Sequence, residues 1–227
     1  MIFSLRNSLL FVAFMTLLIV LSYFYIDKSV SIYFMENRET FRAFGNEVSV
    51  LGESHWYFGI AILGALFFAF VKKNAPLMQR FLFLLYANLF SGLLSIVLKI
   101  FFARMRPWKF EENQEQFGFL FFQNPDFTFM QRLSYQLNTL LEQYANHASF
   151  PSGHTTTSAA IFTYLVILFP KYTALWVAVT LLSISGRVLA NDHFVSDIFA
   201  GIIVGSLTTL YIYSKMKNKL TLNKEHS

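Results

Sequence analysis

Long apolar runs separated by short polar segments dominate the chain. A membrane-spanning helix needs about 20 mainly apolar residues, because the hydrocarbon core of a bilayer is about 30 Å thick. Runs of this kind predict about six spanning helices, at residues 7–26, 56–72, 80–102, 154–170, 172–190 and 195–214. The predicted fold class is therefore all-α, a polytopic membrane protein whose helices form one bundle.

Composition agrees with this pattern. Of the 227 residues, 55% are hydrophobic and 14% are charged, whereas a soluble domain carries about 25% charged residues. The net charge of +5 does not indicate nucleic acid, because the basic residues lie in short segments between apolar runs. Cysteine is absent, which excludes disulfides and thiolate metal sites. With no internal repeat, a single domain over residues 1–227 is the simplest organisation.

The distribution of lysine and arginine predicts the orientation. Basic residues crowd one set of helix ends, and that side should be cytoplasmic; they are Arg6, Lys72, Lys73, Arg80, Lys171, Lys215, Lys217, Lys219 and Lys224. Both termini would then be cytoplasmic, in a bacterial-type inner membrane. The first apolar run is expected to be retained as a helix, since it lacks a small-residue cleavage pattern.

Two segments on the opposite, outer side are long. Residues 28–53 mix apolar and charged positions, which predicts either an amphipathic helix in the membrane interface or an ordinary solvated connection. Residues 108–150 are acidic and aromatic, and long segments beside a site are often lids or substrate-binding elements. For this second segment, a grip on a lipid tail and a protein-packed cap are both open.

Three charged clusters interrupt the apolar pattern at the outer ends of the predicted helices. They are Lys99-IFFARM-Arg106-Pro107, Pro151-Ser152-Gly153-His154 and Arg187-VLAND-His193-FVS-Asp197. Ionisable side chains are expensive in a membrane protein and are expected to pair and to take part in function. Together the clusters contain the cations, imidazoles and carboxylate that bind and transfer a phosphoryl group.

The first cluster predicts an anion site at the mouth of a helix. Lys99 and Arg106 are seven residues apart, which is nearly two helical turns and so one helix face. Pro107 is expected to end this helix, since proline cannot continue the hydrogen-bond ladder. Arginine suits phosphate because its planar fork makes two parallel hydrogen bonds. The alternative is a pair of cations that snorkel to the membrane boundary, and for Arg104, on another face, snorkelling is the preferred interpretation.

The second cluster predicts a close approach of the backbone to an anion. Gly153 removes a side chain from the start of a helix whose free N–H groups attract anions. Ser152 can donate its hydroxyl to a phosphate oxygen, and His154 can act as a general acid if it is protonated. The alternative is a turn and helix cap with an incidental histidine.

The third cluster contains a histidine and a carboxylate at helical spacing. His193 and Asp197 stand four residues apart and would share one helix face. A carboxylate on one ring nitrogen leaves the other free to attack phosphorus, and Arg187 can reach the same anion. Asp192 is expected to point elsewhere and receives no role. The alternatives are a structural His–Asp cap and, more weakly, a metal site that lacks a third ligand.

Taken together, K-x6-RP, PSGH and R-x5-H-x3-D resemble the type 2 phosphatidic acid phosphatase (PAP2) superfamily, and the six predicted helices look like its membrane-embedded lipid phosphatases. The resemblance covers residues 99–197 directly. It implies a PAP2-like bundle in which His193 is the nucleophile that forms a phosphohistidine. It further implies that Asp197 orients His193 and that His154 protonates the leaving oxygen and then helps to activate water.

The resemblance also implies a phosphate-binding set that requires no metal or other cofactor; it consists of Lys99, Arg106, Arg187, Ser152 and the Gly153 backbone. One position departs from the family pattern. Gly186 stands where the family usually has a serine before the arginine, although Ser185 is one residue earlier. This departure puts a hydroxyl contact at that point in doubt.

These observations favour a metal-independent phosphatase that acts on a membrane lipid at the outer face of the membrane. The expected substrates are undecaprenyl diphosphate, phosphatidylglycerophosphate, phosphatidate or a lipid A phosphate. A phosphotransferase that uses the same phosphohistidine is a close alternative. A transporter or lipid-binding protein is less favoured, because it predicts ionisable groups near mid-helix and inverted repeats.

Overall fold

The computed structural model describes residues 5–110 and 117–220, and its regular elements are helices. In chain order they are α1 (Leu5–Tyr25), α2 (Asp27–Glu36), α3 (Arg38–Ser49), α4 (Ser54–Leu66), α5 (Ala75–Phe102), α6 (Pro107–Phe110), α7 (Phe129–His147), α8 (Gly153–Leu168), α9 (Thr173–Leu189) and α10 (Val195–Leu220). A π-helical turn over Phe67–Val71 extends α4. Both termini, which the sequence predicts to be cytoplasmic, lie outside the described residues.

Within residues 5–110 and 117–220, five segments are long and apolar enough to cross a membrane, and they confirm an all-α polytopic membrane fold. They are Leu5–Tyr25, Arg38–Val71, Ala75–Phe102, Pro170–Leu189 and Val195–Leu220. The one predicted run that is not among these five, 154–170, forms α8, but this helix has only 16 residues. Its first turns carry small polar side chains that are buried in the protein, among them Thr155, Thr156 and Ser158. α8 is therefore a central helix enclosed by its neighbours.

Two glycines let α10 lie directly against α8. A Cβ atom added at Gly201 would be 2.8 Å from the Ser152 carbonyl oxygen, and one at Gly205 would be 2.8 Å from the Ala160 nitrogen. Since only glycine permits so close an approach, the start of α10 reaches the start of α8. There the Ser152 N–H donates to the Asp197 carbonyl oxygen at 3.1 Å.

α5 ends at the last residue of the predicted apolar run, 80–102, and not at Pro107. α5 ends at Phe102, because Ala103 takes a left-handed conformation with φ of 43°. The chain then runs extended beside a second segment: the Met105 N–H donates to the Gly118 carbonyl and the Leu120 N–H to the Ala103 carbonyl. Pro107 begins α6 and does not end α5. The prediction that Lys99 and Arg106 share one helix face was therefore wrong.

The described part of the 108–150 segment packs as a cap on the end of α5. α7 begins with a capping box formed by Thr128 and Gln131, which satisfies free N–H groups at a helix start. The side-chain amide of Gln136 donates to the Ile100 and Phe101 carbonyls at 2.7 and 2.9 Å. Residues 111–116 of this segment lie outside the described residues.

Candidate active site

The three charged clusters meet at one end of the bundle. The Lys99 ammonium donates to the Ala148 carbonyl at 2.5 Å, which joins the end of α5 to the segment before α8. Arg106 Nη1 lies 3.5 Å from His193 Nε2 and 3.3 Å from the Asp192 carbonyl, which it bonds. The convergence expected from the sequence thus occurs, although it depends on the turn at Ala103 and not on a continuous helix.

His193 lies in the turn between α9 and α10 and is not itself helical, because α10 begins at Val195. The turn contains Asn191 with φ of 56°, and the His193 N–H donates to the Arg187 carbonyl at 3.2 Å. His193 and Asp197 are therefore neighbours without sharing a helix face. Their closest atoms, Nδ1 and Oδ2, are 3.4 Å apart.

The two nitrogens of the His193 ring face different surroundings. Nδ1 faces the Asp197 carboxylate and the Ser149 hydroxyl, each at 3.4 Å. Nε2 faces the Arg106 guanidinium. A carboxylate beside Nδ1 favours the tautomer that carries its proton there, which leaves the Nε2 lone pair directed toward the cations.

Further hydrogen bonds hold the Asp197 carboxylate in place. The Ser149 hydroxyl donates to Oδ2 at 2.6 Å, and the Phe194 N–H donates to the same oxygen at 3.0 Å. Asp197 is fully buried, as is Ser149. Because a buried carboxylate without partners is strongly destabilising, these donors fix the group that lies against His193.

Arg104 completes this arrangement, and the snorkelling predicted for it was wrong. Its side chain is 0% exposed. Nη1 donates to Asp197 Oδ1 at 2.5 Å, and Nη2 donates to Asp27 Oδ2 at 2.8 Å. The left-handed Ala103 turns Arg104 inward, where Asp27 at the start of α2 also accepts the Ser196 N–H at 3.0 Å.

Aromatic rings enclose the Arg104 guanidinium. Its central carbon lies 4.2 Å from the centre of the Phe194 ring and 5.1 Å from that of Tyr23. Cations are attracted to the faces of such rings. The guanidinium therefore has both carboxylate and aromatic partners, which accounts for a fully buried arginine.

Arg187 occupies the last turn of α9 and is held from two sides. Its Nη2 forms an ion pair with Asp192 Oδ2 at 2.7 Å, and its Nη1 donates to the Ser49 hydroxyl at 3.2 Å. The expectation that Asp192 points away from the site was wrong, since the turn before His193 directs its carboxylate onto Arg187. Ser49, at the end of α3, had no predicted role.

Gly186 is required by the packing of α3 on α9. A Cβ atom at Gly186 would lie 2.5 Å from the Gly45 carbonyl oxygen and 3.0 Å from the Ser49 nitrogen. Ser185 is exposed and its hydroxyl donates to the Leu182 carbonyl, so it does not replace the family serine. The hydroxyl beside Arg187 comes instead from Ser49, which the close approach of α3 delivers.

The second cluster forms the start of α8. Ser152 is buried, and its hydroxyl oxygen caps the helix by accepting from the Thr155 N–H at 3.4 Å and the Thr155 hydroxyl at 3.0 Å. Gly153 and His154 line a cavity of about 600 Å³ that also reaches Lys99.

Burial and positive charge favour a neutral His193. Burial lowers the pKa of His193 well below its usual range, and the charges of Arg106, Lys99, Arg187 and His154 lower it further. A neutral imidazole is the form that can act as a nucleophile. Among the residues that the structure describes, no three His, Asp or Glu side chains are grouped to hold a metal ion.

The sequence motifs contain the residues around the anion site but not Ser149 and Asp27, which lie on the Nδ1 side of His193 or bond Arg104 there. Ser149 and Asp27 carried weak signals: one stands just before the PSGH motif, and the other is an acid directly after the first apolar run. Ser49 carried none, because its position depends on how α3 packs against α9.

A helical membrane protein with a histidine, a carboxylate and several cations at one end of its bundle has the form of a phosphoryl-transfer protein. Residues 80–220 match the PAP2 superfamily, and the chain belongs to this family. No solved structure matches the chain.

Curated relatives include two lipid A 1-phosphatases and a lipid A 4′-phosphatase. The 1-phosphatase of Rhizobium etli is 33% identical over 56% of this chain and 47% of its own length. That of Rhizobium johnstonii is 30% identical over 59% of this chain and 48% of its own. The 4′-phosphatase of Porphyromonas gingivalis is 32% identical over 70% of this chain and 60% of its own. The chain thus spans about half the length of the curated relatives it matches.

Proposed function

We propose that this protein is a phosphatase of membrane lipid phosphates or diphosphates that uses His193 as its nucleophile. The observation that carries the proposal is the two-sided setting of His193. A fixed carboxylate lies at Nδ1, while Nε2 faces Arg106 beside the cavity that Lys99 and His154 line. A phosphate held by the cations would meet the free nitrogen.

The reaction follows from these positions. Nε2 attacks phosphorus while the bond from phosphorus to the leaving oxygen breaks, and His154 gives that oxygen a proton. Burial and the charges of Arg187, Arg106 and Lys99 lower the pKa of His154 to about 4, so this step requires the negative charge of the bound phosphate to raise that pKa and protonate the ring. His154 then takes a proton from water, whose oxygen displaces His193 and releases phosphate. Lys99, Arg106 and Arg187, with the Ser152 hydroxyl and the Gly153 backbone, stabilise the charge that develops on the phosphate oxygens. No step requires a metal ion.

Several features support a lipid as the substrate. The site lies at the end of helices that are apolar enough to span a membrane, and its cavity is lined in part by Phe58, Leu89 and Leu93. The relatives are named lipid A phosphatases, so a lipid A phosphate leads the panel of expected substrates. Phosphatidate, phosphatidylglycerophosphate and undecaprenyl diphosphate complete it.

Phosphate release by the purified protein tests the proposal. We expect turnover of at least one of the four lipids in the presence of EDTA, and a loss of about 10³-fold or more in His193→Ala. His147→Ala is a matched control, because this buried histidine of α7 lies 3.4 Å from the Gln143 carbonyl and is not among the residues that line the cavity. Activity that EDTA abolishes, or that His193→Ala retains, would refute the mechanism.

The site is proposed to face the periplasm or exterior of a bacterial-type inner membrane. The concentration of lysine and arginine at the opposite helix ends supports this orientation. Reporter fusions within residues 108–150 and after residue 220 should report opposite sides of the membrane. A cytoplasmic location for residues 108–150 would reverse the orientation.

A further inference from the structure

A polar stripe runs along α5 away from the candidate phosphate site. Asn88, Ser91, Ser95 and Lys99 are all buried and stand three or four residues apart, so they share one face of the helix. Apart from Lys99, these residues take no part in the proposed reaction. Buried polar side chains in a membrane helix usually mark a functional surface.

Two members of the stripe lack partners for buried polar atoms. Asn88 Oδ1 and Ser95 Oγ have no hydrogen-bond partner among the described residues, although their side chains are almost completely buried. The other end of the Asn88 amide is satisfied, because Nδ2 donates to the Ser54 carbonyl at 3.0 Å. An unpaired buried polar atom is unfavourable by about 1–3 kcal/mol, so a ligand that satisfies both atoms would be stabilised.

The two residues that carry these atoms line the cavity that begins at the phosphate site. Asn88 and Ser95 line the same space of about 600 Å³ as Lys99 and His154. From the helical rise of 1.5 Å per residue, Ser95 lies about 6 Å and Asn88 about 16 Å along α5 from Lys99. Gly92 leaves room between them, since a Cβ atom there would meet nothing within 4 Å.

Ser91 differs from its neighbours on the stripe. Its hydroxyl donates to the Asn88 carbonyl at 3.2 Å, and it is not among the residues that line the cavity. Among the residues of the stripe, the unsatisfied atoms therefore belong to two that line the cavity.

From this placement we infer that Asn88 and Ser95 select a phospholipid that carries amide N–H or hydroxyl donors close to its phosphate and along its chains. Asn88 Oδ1 can only accept a hydrogen bond, so its partner must be a donor. Plain diacyl esters and polyprenyl chains offer no such donor, whereas amide-linked or hydroxylated acyl chains do. This inference rests on the proposed function, because it places the lipid phosphate at Lys99 and His154.

A matched pair of synthetic lipids tests the inference. The donor lipid is glucosamine 1-phosphate with amide- and ester-linked 3-hydroxyacyl chains. The control lipid is glucose 1-phosphate with two plain ester chains of the same length. Ser95→Ala and Asn88→Leu should raise KM for the donor lipid about five- to tenfold, the effect of one lost hydrogen bond. Both variants should leave KM for the control lipid within about twofold, and Ser91→Ala should leave both values unchanged.

A binding measurement separates this inference from the proposed function. In a His193→Ala background, each lipid raises the melting temperature of the detergent-solubilised protein if it binds the folded state. The donor lipid should stabilise the protein more than the control lipid, and Ser95→Ala should remove the difference. Equal stabilisation by the two lipids, or equal losses for both lipids in the variants, would overturn the inference. Binding without hydrolysis in the wild type would overturn the proposed function instead.

Discussion

Arg104 and Arg106 are two residues apart in the sequence but occupy opposite kinds of environment. Arg104 is bonded to Asp27, Asp197 and Ser196 and is enclosed by aromatic rings. Arg106 bonds one backbone carbonyl and lies beside His193. Two carboxylates bond the first guanidinium, whereas Asp192 and Asp197 act on the second only through space, because within the described residues Arg106 donates to neither carboxylate. The first is therefore committed to the structure, and the second is available to an anion.

The partners of each arginine, more than its sequence position, distinguish a positioning arginine from a substrate-binding one. Arg104 acts through Asp197, which in turn faces His193 Nδ1, so it lies behind the nucleophile. Arg106 lies in front, at Nε2. A buried cation with matched carboxylates contributes to structure, whereas a buried cation without them is poised to bind an anion.

Substitution of Arg104 should have the largest effect. Arg104→Met leaves Asp27 and Asp197 buried without their cation, and breaking a buried pair in this way is unfavourable by about 3–5 kcal/mol. We expect little folded protein, measured as loss of the monodisperse peak in size-exclusion chromatography in detergent. Asp27→Asn should be milder, since Ser196 can still donate to the amide oxygen. A fully folded, stable Arg104→Met protein would contradict the structural role.

Substitution of Arg106 should instead affect catalysis. Arg106→Met removes a donor to the phosphate while leaving no carboxylate unpaired, so kcat/KM should fall about 10²–10³-fold. The melting temperature should stay within a few degrees of the wild-type value. Unfolding as severe as that of Arg104→Met would erase the distinction between the two arginines.

Substitution of Gly186 should change the stability of the protein more than its catalytic activity. Gly186→Ser restores the family residue but forces its Cβ against the Gly45 carbonyl, and overpacking of this kind is unfavourable by about 1–3 kcal/mol. Thermal melting should report the loss. A stable and more active Gly186→Ser variant would show that α3 is not held against α9 as described.

Ser49→Ala should have a smaller effect on activity. Loss of one hydrogen bond to Arg187 should raise KM about two- to fivefold, because Asp192 still holds the guanidinium. Ser49→Thr keeps the hydroxyl and should restore part of the lost affinity. Ser185→Ala, on the exposed side of α9, is the control and should leave KM unchanged.

The pH dependence of kcat/KM tests whether the cations near His193 lower the pKa of its imidazole. Burial and the charges of Arg106, Lys99 and Arg187 lower the pKa of His193, so the imidazole stays neutral as the pH falls through its usual range. The acidic limb of kcat/KM that belongs to His193 should therefore lie below pH 6.5. In Arg106→Met one of these charges is gone, and the limb should move to higher pH. A shift to lower pH would contradict this electrostatic account.

Much of the fold and the front of the site could be predicted from the sequence. Apolar runs predict spanning helices because the bilayer sets their length, and motif spacing singled out His193, His154 and their cations. The setting of Arg104 could not be predicted, since it depends on one left-handed residue, Ala103, that turns the chain after α5. Asp192 and Ser49 were missed because turn geometry and helix contacts between distant segments bring them to Arg187.

The dipeptide Ala148–Ser149 has a consequence for how relatives of this protein can diverge. The Ala148 carbonyl accepts a hydrogen bond from the Lys99 ammonium, and the Ser149 hydroxyl donates one to the Asp197 carboxylate. Two consecutive residues are therefore bonded to a predicted phosphate-binding cation and to the carboxylate that faces His193. Insertions and deletions should therefore be excluded between α7 and α8, even where the preceding loop varies freely in length. In an alignment of the family, the two positions that correspond to Ala148 and Ser149 should contain no insertion or deletion, even where the preceding loop differs in length.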